Sequence, residues 1–329
     1  MTRRHLIVFV LFASTCAFAS KPKPAEADAL IQRAIAHSDW RAAGPISVSG
    51  TVVLKAVKGN PTILYEMLWK SSREWRDSVS APGYREERVA LGDKLYLQRP
   101  ASSSPGVFLD MYLALDPQRI WNGLPEHTPS KVFTRKIAGH PAICVHYTTK
   151  QFGIFGEPTF CADAATADLL YASSMLGDVT YSNFSNVDDR SFARNIEVKH
   201  NDVLELALAL QANPSIAGPP LVAPSGAVTY VNCPAVDFRE PLKDDAHSPP
   251  PHYPREARIR GEQGTSGYVV LISSTGVVEV KDLAVAATTL LDDQTRSVLP
   301  QWKYFPATCN GQPIDVETVI RVNYTLSAH

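Results

Sequence analysis

The regular alternation of residues 314–326 constrains the fold of this chain more than any other segment. The odd positions are mostly polar, and they include Asp315, Glu317, Arg321 and Asn323. The even positions are apolar or carry a hydroxyl group: Ile314, Val316, Thr318, Ile320, Val322, Tyr324 and Leu326. Because side chains alternate between the two faces of a strand, one face is apolar, and Arg321 and Asn323 on the other are expected to face water. Such a strand belongs to an antiparallel sheet that is covered on one side only.

The segment before this strand predicts a small α+β module. Residues 266–272 form a second alternating strand, and Asn310 with Gly311 is a strong hairpin signal because both turn residues need a positive φ. Between them, four residues recur at the spacing of a helix: Leu291, Thr295, Val298 and Trp302. Pro300 is expected to end that helix early, since a proline inside a helix removes a hydrogen bond. The order of elements predicts helices on one face of an antiparallel sheet.

A family pattern is spread over residues 250–329. It consists of Tyr253, Pro254, Ala257, Gly261, Gly264, Gly276, Leu291, Asp292, residues 302–307 and residues 310–313. On these residues the segment resembles the C-terminal domain of the TonB family of energy transducers. The resemblance implies that the last strand adds an extended peptide, from an outer-membrane receptor or another envelope protein, to the edge of its sheet. The implied edge consists of Ile314, Val316, Thr318, Ile320, Arg321, Val322, Asn323 and Tyr324. The alternative is that a segment such as 228–238 covers this strand, which then binds nothing.

Residues 1–19 have the layout of a secretory signal peptide. Two arginines precede an apolar run over 6–13, and Ala17 and Ala19 offer a small-residue cleavage site. This layout predicts a periplasmic or secreted protein. Two alternatives stay open: Cys16 could be the lipid-attachment site of a lipoprotein, or the segment could be retained as a short membrane anchor.

Four cysteines remain after this segment: Cys144, Cys161, Cys233 and Cys309. An even number of cysteines in an exported chain predicts disulfides, and we expect Cys144–Cys161 and Cys233–Cys309. The alternative is a metal site, because Cys144 shares a strand face with His146, as Cys161 does with Asp163. The oxidising compartment favours the disulfides.

Residues 25–212 predict a curved antiparallel sheet, or half-barrel, with helices. A short amphipathic helix opens the segment, and strands follow at a spacing of about ten residues, separated by Gly, Asn, Asp and Pro. Residues 108–124 interrupt the strands with two apolar helical runs that meet at Asp116 and Pro117.

This layout also carries a family resemblance. The features concerned are the opening helix and, on early strands, Trp69, Lys70, Trp75, Arg76 and residues 92–96. In layout the segment is similar to the LolA/LolB-type lipoprotein-carrier superfamily, which implies a concave apolar surface able to hold lipid or acyl chains. The alternative is a β-meander whose aromatic residues are ordinary core.

The predicted function follows from these parts. Residues 213–249 are rich in proline and are predicted to link a domain over 25–212 to one over 250–329. A formal net charge of −1 argues against a nucleic-acid partner, which requires a basic surface. Since no nucleophile elbow, His-Glu-x-x-His or phosphate-binding glycine loop is present, no enzyme, cofactor or metal site is expected. We expect an exported envelope protein, related to energy-coupled transport, that binds an extended peptide; the alternative is a periplasmic lipid or lipoprotein carrier.

Overall fold

The computed structural model describes residues 22–55, 57–150, 153–174, 177–214 and 220–326. The predicted signal peptide, with Cys16, lies outside these residues. Within them, none of the helices has the length and apolar character needed to cross a membrane.

The N-terminal part is one thirteen-stranded antiparallel sheet with three helices. Its elements are α1 (Pro24–His37), β1 (Ile46–Leu54), β2 (Thr62–Ser71), β3 (Glu74–Ala81), β4 (Tyr84–Leu91), β5 (Lys94–Gln98), α2 (Gly106–Ala114), α3 (Pro117–Gly123), β6 (His127–Ile137), β7 (His140–Thr149), β8 (Thr159–Asp163), β9 (Leu169–Ser174), β10 (Gly177–Val187), β11 (Arg190–His200), β12 (Val203–Pro214) and β13 (Val228–Val231). The strand order is β13-β5-β4-β3-β2-β1-β12-β11-β10-β9-β8-β7-β6, so the sheet is open, with β13 and β6 at its two edges. This architecture confirms the predicted antiparallel sheet with helices.

Local sequence explains why the helices form where they do. The buried face of α1 packs on β6 to β9 and consists of Ala27, Leu30, Ile31, Ala34 and Ile35. Their spacing is that of one stripe on a helix. Helix α3 begins after Asp116, whose side chain accepts a hydrogen bond from the backbone N–H of Arg119, and Pro117 occupies the first turn.

The C-terminal part is the predicted α+β module. Its elements are β14 (Phe238–Arg239), β15 (Leu242–Lys243), α4 (Arg255–Ile259), β16 (Gly264–Ile272), β17 (Val278–Val285), α5 (Thr289–Val298), β18 (Tyr304–Phe305), β19 (Ala307–Cys309), β20 (Gln312–Ile314) and β21 (Val316–Tyr324). The main sheet has the order β17-β16-β21. Helix α5 gives way to a 3-10 turn over Leu299–Gln301, which contains Pro300, as predicted.

The strand predicted over 314–326 is two strands. Asp315 separates β20 from β21, and one of its carboxylate oxygens accepts a hydrogen bond of 2.6 Å from the backbone N–H of Ser274. The break places β20 in a small sheet beside β19, whereas β21 pairs with β16. The alternation of side chains continues across the break, which explains why the sequence pattern shows one strand.

The segment predicted as a linker pairs with both parts of the chain. Strand β13 pairs with β5 of the N-terminal sheet, while β14 pairs with β19 and β15 with β18 in the C-terminal part. Both predicted disulfides are present: Cys144–Cys161 joins β7 to β8, and Cys233–Cys309 joins the segment after β13 to β19. The disulfides, and not a metal, therefore occupy these cysteines.

Candidate peptide-binding edge and adjoining cavity

Strand β21 lies at the edge of its sheet. It pairs with β16 from Val316 opposite Ile272 to Tyr324 opposite Gly264. In the described part of the chain no other strand pairs with β21, and the segment 228–238, which could have covered it, pairs with β5 and β19 instead. An edge strand presents a row of backbone N–H and C=O groups to any extended segment that lies beside it.

The apolar face of β21 packs on the helices of the module. Ile320, Val322 and Tyr324 are buried, and the Tyr324 hydroxyl lies 3.0 Å from the hydroxyl of Thr295 in α5. The ring of Tyr253 packs edge-on against Tyr324, with ring centroids 5.5 Å apart. These contacts fix the position of the strand from one side and pack Tyr253 against the core.

The other face of β21, predicted to be solvated, is covered by the N-terminal part. Arg321 is only 8% exposed, and its Nη2 donates a hydrogen bond of 2.6 Å to Oδ2 of Asp110 in α2. Glu317 accepts two hydrogen bonds of 2.8 Å from Arg99. The prediction that Arg321 faces water is wrong, because a carboxylate from the N-terminal part neutralises it. Asn323 is exposed, as predicted.

A cavity of about 610 Å³ adjoins the first half of this edge. Residues 314–318 form one wall, and α2, α3 and strands of the N-terminal sheet form others. Trp69 and Trp75, which the sequence singled out, both line it, and their rings are stacked with centroids 6.4 Å apart. The cavity therefore joins the two parts of the chain that the sequence assigned to separate functions.

The charged groups of the cavity are unevenly paired. The Nε of Arg88 donates to Asp77 at 2.8 Å. Arg119, by contrast, forms no ion pair among the described residues; its guanidinium lies 3.8 Å above the Phe238 ring and donates to the carbonyl oxygen of Cys233. Burial lowers the pKa of Arg119 to about 10. The half-buried guanidinium of Arg119, whose charge Asp116 offsets only in part, favours an anionic group in the cavity.

A buried acid that the sequence did not indicate, Glu240, lies beside the cavity wall. Glu240 is 3% exposed and accepts a hydrogen bond of 2.7 Å from the backbone N–H of Phe155, which lines the cavity. Burial raises the pKa of Glu240 to about 8, and the backbone hydrogen bonds lower it only in part. This carboxyl group is therefore largely protonated near neutral pH.

Sequence reasoning missed several of these residues. Asp110 had a visible signal, since it is the single charged residue in the apolar helix α2. Glu240 had none, because it lies in a polar, proline-rich segment where acids are ordinary. Arg119 follows the predicted cap of α3, and nothing local distinguishes it from a solvated arginine.

Comparison with known proteins identifies the C-terminal module. Residues 249–326 match the family model of the Gram-negative bacterial TonB protein C-terminal, which confirms the predicted resemblance and relates this part to a non-enzymatic family of envelope proteins. Among curated protein sequences, none matches this chain.

Two solved structures are similar in fold. One is the solution NMR structure of the TonB C-terminal domain from Pseudomonas aeruginosa, which is 22% identical, covers 28% of this chain and 90% of that chain, and gives a TM-score of 0.23. The other is a LolA superfamily protein from Nitrosomonas europaea, which is 12% identical, covers 58% of this chain and 94% of that chain, and gives a TM-score of 0.41.

Proposed function

We propose that this protein is an exported envelope protein of the TonB family that binds an extended peptide along the outer edge of β21. The partner is a segment of an outer-membrane receptor or of another envelope protein. The observation that carries the proposal is the position of β21 at the edge of its sheet, with β16 on one side and no described strand on the other. The family match of residues 249–326 supports it.

The edge would recognise the backbone and the cavity would recognise side chains. Peptide N–H and C=O groups pair with the outer groups of β21, and each such hydrogen bond contributes about 1 kcal/mol net. Near residues 316–318 a side chain of the peptide reaches the cavity with Trp69, Trp75 and Arg119. An apolar or acidic side chain at that position suits this lining.

Backbone N-methylation of the peptide tests this mode of binding. Methylating alternate residues removes the N–H groups from one edge of the extended peptide, and methylating the intervening residues removes them from the other. One of the two peptides should lose at least tenfold in affinity for the full chain, by fluorescence anisotropy, while the other retains it. Equal affinity of the two methylated peptides would contradict pairing with β21.

A second function, carriage of lipid or lipoprotein acyl chains, is favoured by the cavity itself. Its volume lies in the range of small-molecule sites, and its wall contains the stacked Trp69 and Trp75. Replacement of Trp75 by Ala should weaken uptake of a fluorescent fatty acid. Trp121→Ala, which changes a tryptophan outside this cavity, is the matched control. Protein that takes up no fatty acid and carries no lipid in native mass spectrometry would exclude this function.

A further inference from the structure

A cluster of three ligand-type side chains lies where the N-terminal part meets β21. Asp110 comes from α2, His200 from the end of β11 and Glu205 from β12. One ligand atom of each lies within 4.8 Å of the other two. Asp110 is 4% exposed, and the side chains of His200 and Glu205 are 13% and 15% exposed. The cluster is therefore largely shielded from solvent, and its three side chains are close enough to bind one ion.

Two buried polar atoms of this cluster lack a partner. Within the described residues, Oδ1 of Asp110 and Nε2 of His200 form no hydrogen bond, whereas Nδ1 of His200 lies 3.3 Å from Oε2 of Glu205. A buried polar atom without a partner is destabilising, so native proteins rarely keep two such atoms close together without a ligand. These atoms include the donor types that a metal ion accepts, namely a carboxylate oxygen and an imidazole nitrogen.

The second oxygen of Asp110 is already held in place. Arg321 donates from Nη2 to this oxygen, Oδ2, at 2.6 Å, which leaves Oδ1 directed elsewhere. Carboxylates that bind metals are commonly oriented by such a hydrogen bond from a neighbouring residue. Arg321 therefore orients Asp110 without using all of its binding capacity.

The charge of the cluster also calls for a cation. Two carboxylates face one guanidinium, so the group carries a formal charge of −1 when His200 is neutral. A metal ion would offset this charge.

We propose that Asp110, His200 and Glu205 bind a zinc ion. Zinc takes imidazole and carboxylate ligands at about 2.0–2.2 Å. Side-chain rotations that move the ligand atoms by roughly an ångström would bring all three around one ion and leave a fourth position for water. The ion would tie α2 to β11 and β12. Through the Asp110–Arg321 pair it would also fix the N-terminal part against β21, the edge proposed to bind the peptide.

The test is zinc titration of the full chain, purified without an affinity tag and stripped with a chelator. Isothermal titration calorimetry should show one site, and His200→Ala should weaken it at least tenfold. His247→Ala is the matched control, because it removes an exposed imidazole that pairs with Asp244 elsewhere. Cobalt substitution should give a visible absorption band that His200→Ala abolishes and His247→Ala preserves.

A second variant guards against simple loss of folding. Glu205→Gln keeps the shape of the side chain and removes one charged ligand, and it should weaken zinc binding while circular dichroism stays unchanged. Wild-type protein that binds no zinc, or variants that bind it as tightly as wild type, would overturn the proposal. A melting temperature that does not respond to zinc would overturn it as well.

Discussion

The burial of Arg321 is the clearest difference between the alternating pattern and the folded chain. The pattern placed this residue on the face opposite the helices, which is correct. It could not show that this face is covered, because Asp110 lies 211 residues away in sequence. The alternation along a strand predicts which residues share a face, but it does not predict which distant helix packs on that face.

Loss of Arg321 should destabilise the protein strongly. Arg321→Met keeps most of the side-chain volume and leaves Asp110 buried without its cation, which costs about 3–5 kcal/mol for a buried ion pair broken on one side. The free energy of unfolding, measured by urea denaturation, should fall by that amount. Arg260→Met, which removes the exposed pair with Glu256, should change it by less than about 1 kcal/mol. Similar values for both variants would show that Arg321 is not effectively buried.

The raised pKa of Glu240 predicts that the stability of the protein decreases as the pH rises. Its pKa is about 8 in the folded chain against an ordinary value of 4.5. Between these values the unfolded chain releases a proton that the folded chain keeps, so this group's contribution to stability is lost as the pH rises from about 5 to 8. Wild-type protein should lose a few kcal/mol more than Glu240→Gln over this range in urea denaturation. Parallel pH profiles for the two proteins would contradict the burial of a protonated Glu240.

At the scale of elements, the sequence predicted the alternating strands and the helices of the N-terminal sheet, and in the C-terminal module the longer strands and helix α5 but not the short strands β14, β15, β18 and β19. Periodicity and turn residues are local properties, and they sufficed for α1, for the meander of β1 to β5 and for the early end of α5 at Pro300. The structure of residues 213–249 depends on distant parts of the chain. Its prolines indicated a spacer, yet β13, β14 and β15 pair with strands far away in sequence. Short strands of this kind form because a partner edge is available, which one sequence segment cannot show.

The two disulfides should differ in their contribution to stability. Cys233–Cys309 closes a loop of 76 residues and Cys144–Cys161 a loop of 17. In the chain-entropy model the longer loop is worth about 4–5 kcal/mol and the shorter about 3 kcal/mol.

Paired replacement by alanine measures this difference. The Cys233→Ala, Cys309→Ala protein should unfold at lower urea concentration than wild type, and its cavity wall over 232–238 should become more accessible to hydrogen exchange. The Cys144→Ala, Cys161→Ala protein should leave exchange over 232–238 unchanged. Protection of that segment without the Cys233–Cys309 bond would show that strand pairing alone holds it.

At the scale of the molecule, the two parts share surfaces that neither would have alone. The pairs Arg99–Glu317 and Asp110–Arg321 cover one face of the module, and the cavity between the parts includes residues 314–318. An isolated C-terminal fragment would expose this face. The proposed edge must therefore be tested in the full chain, where only its outer side is open to a peptide.

The most direct measurement is residue-resolved NMR of the full chain, with isotope label, mixed with extended peptides from outer-membrane receptors. Strands β21 and β17 are the two edges of one sheet, so each serves as a control for the other. Amide shifts and slowed hydrogen exchange should concentrate in residues 316–324, with residues 278–285 unaffected. Changes confined to 278–285, or none in either strand with any such peptide, would contradict binding at β21.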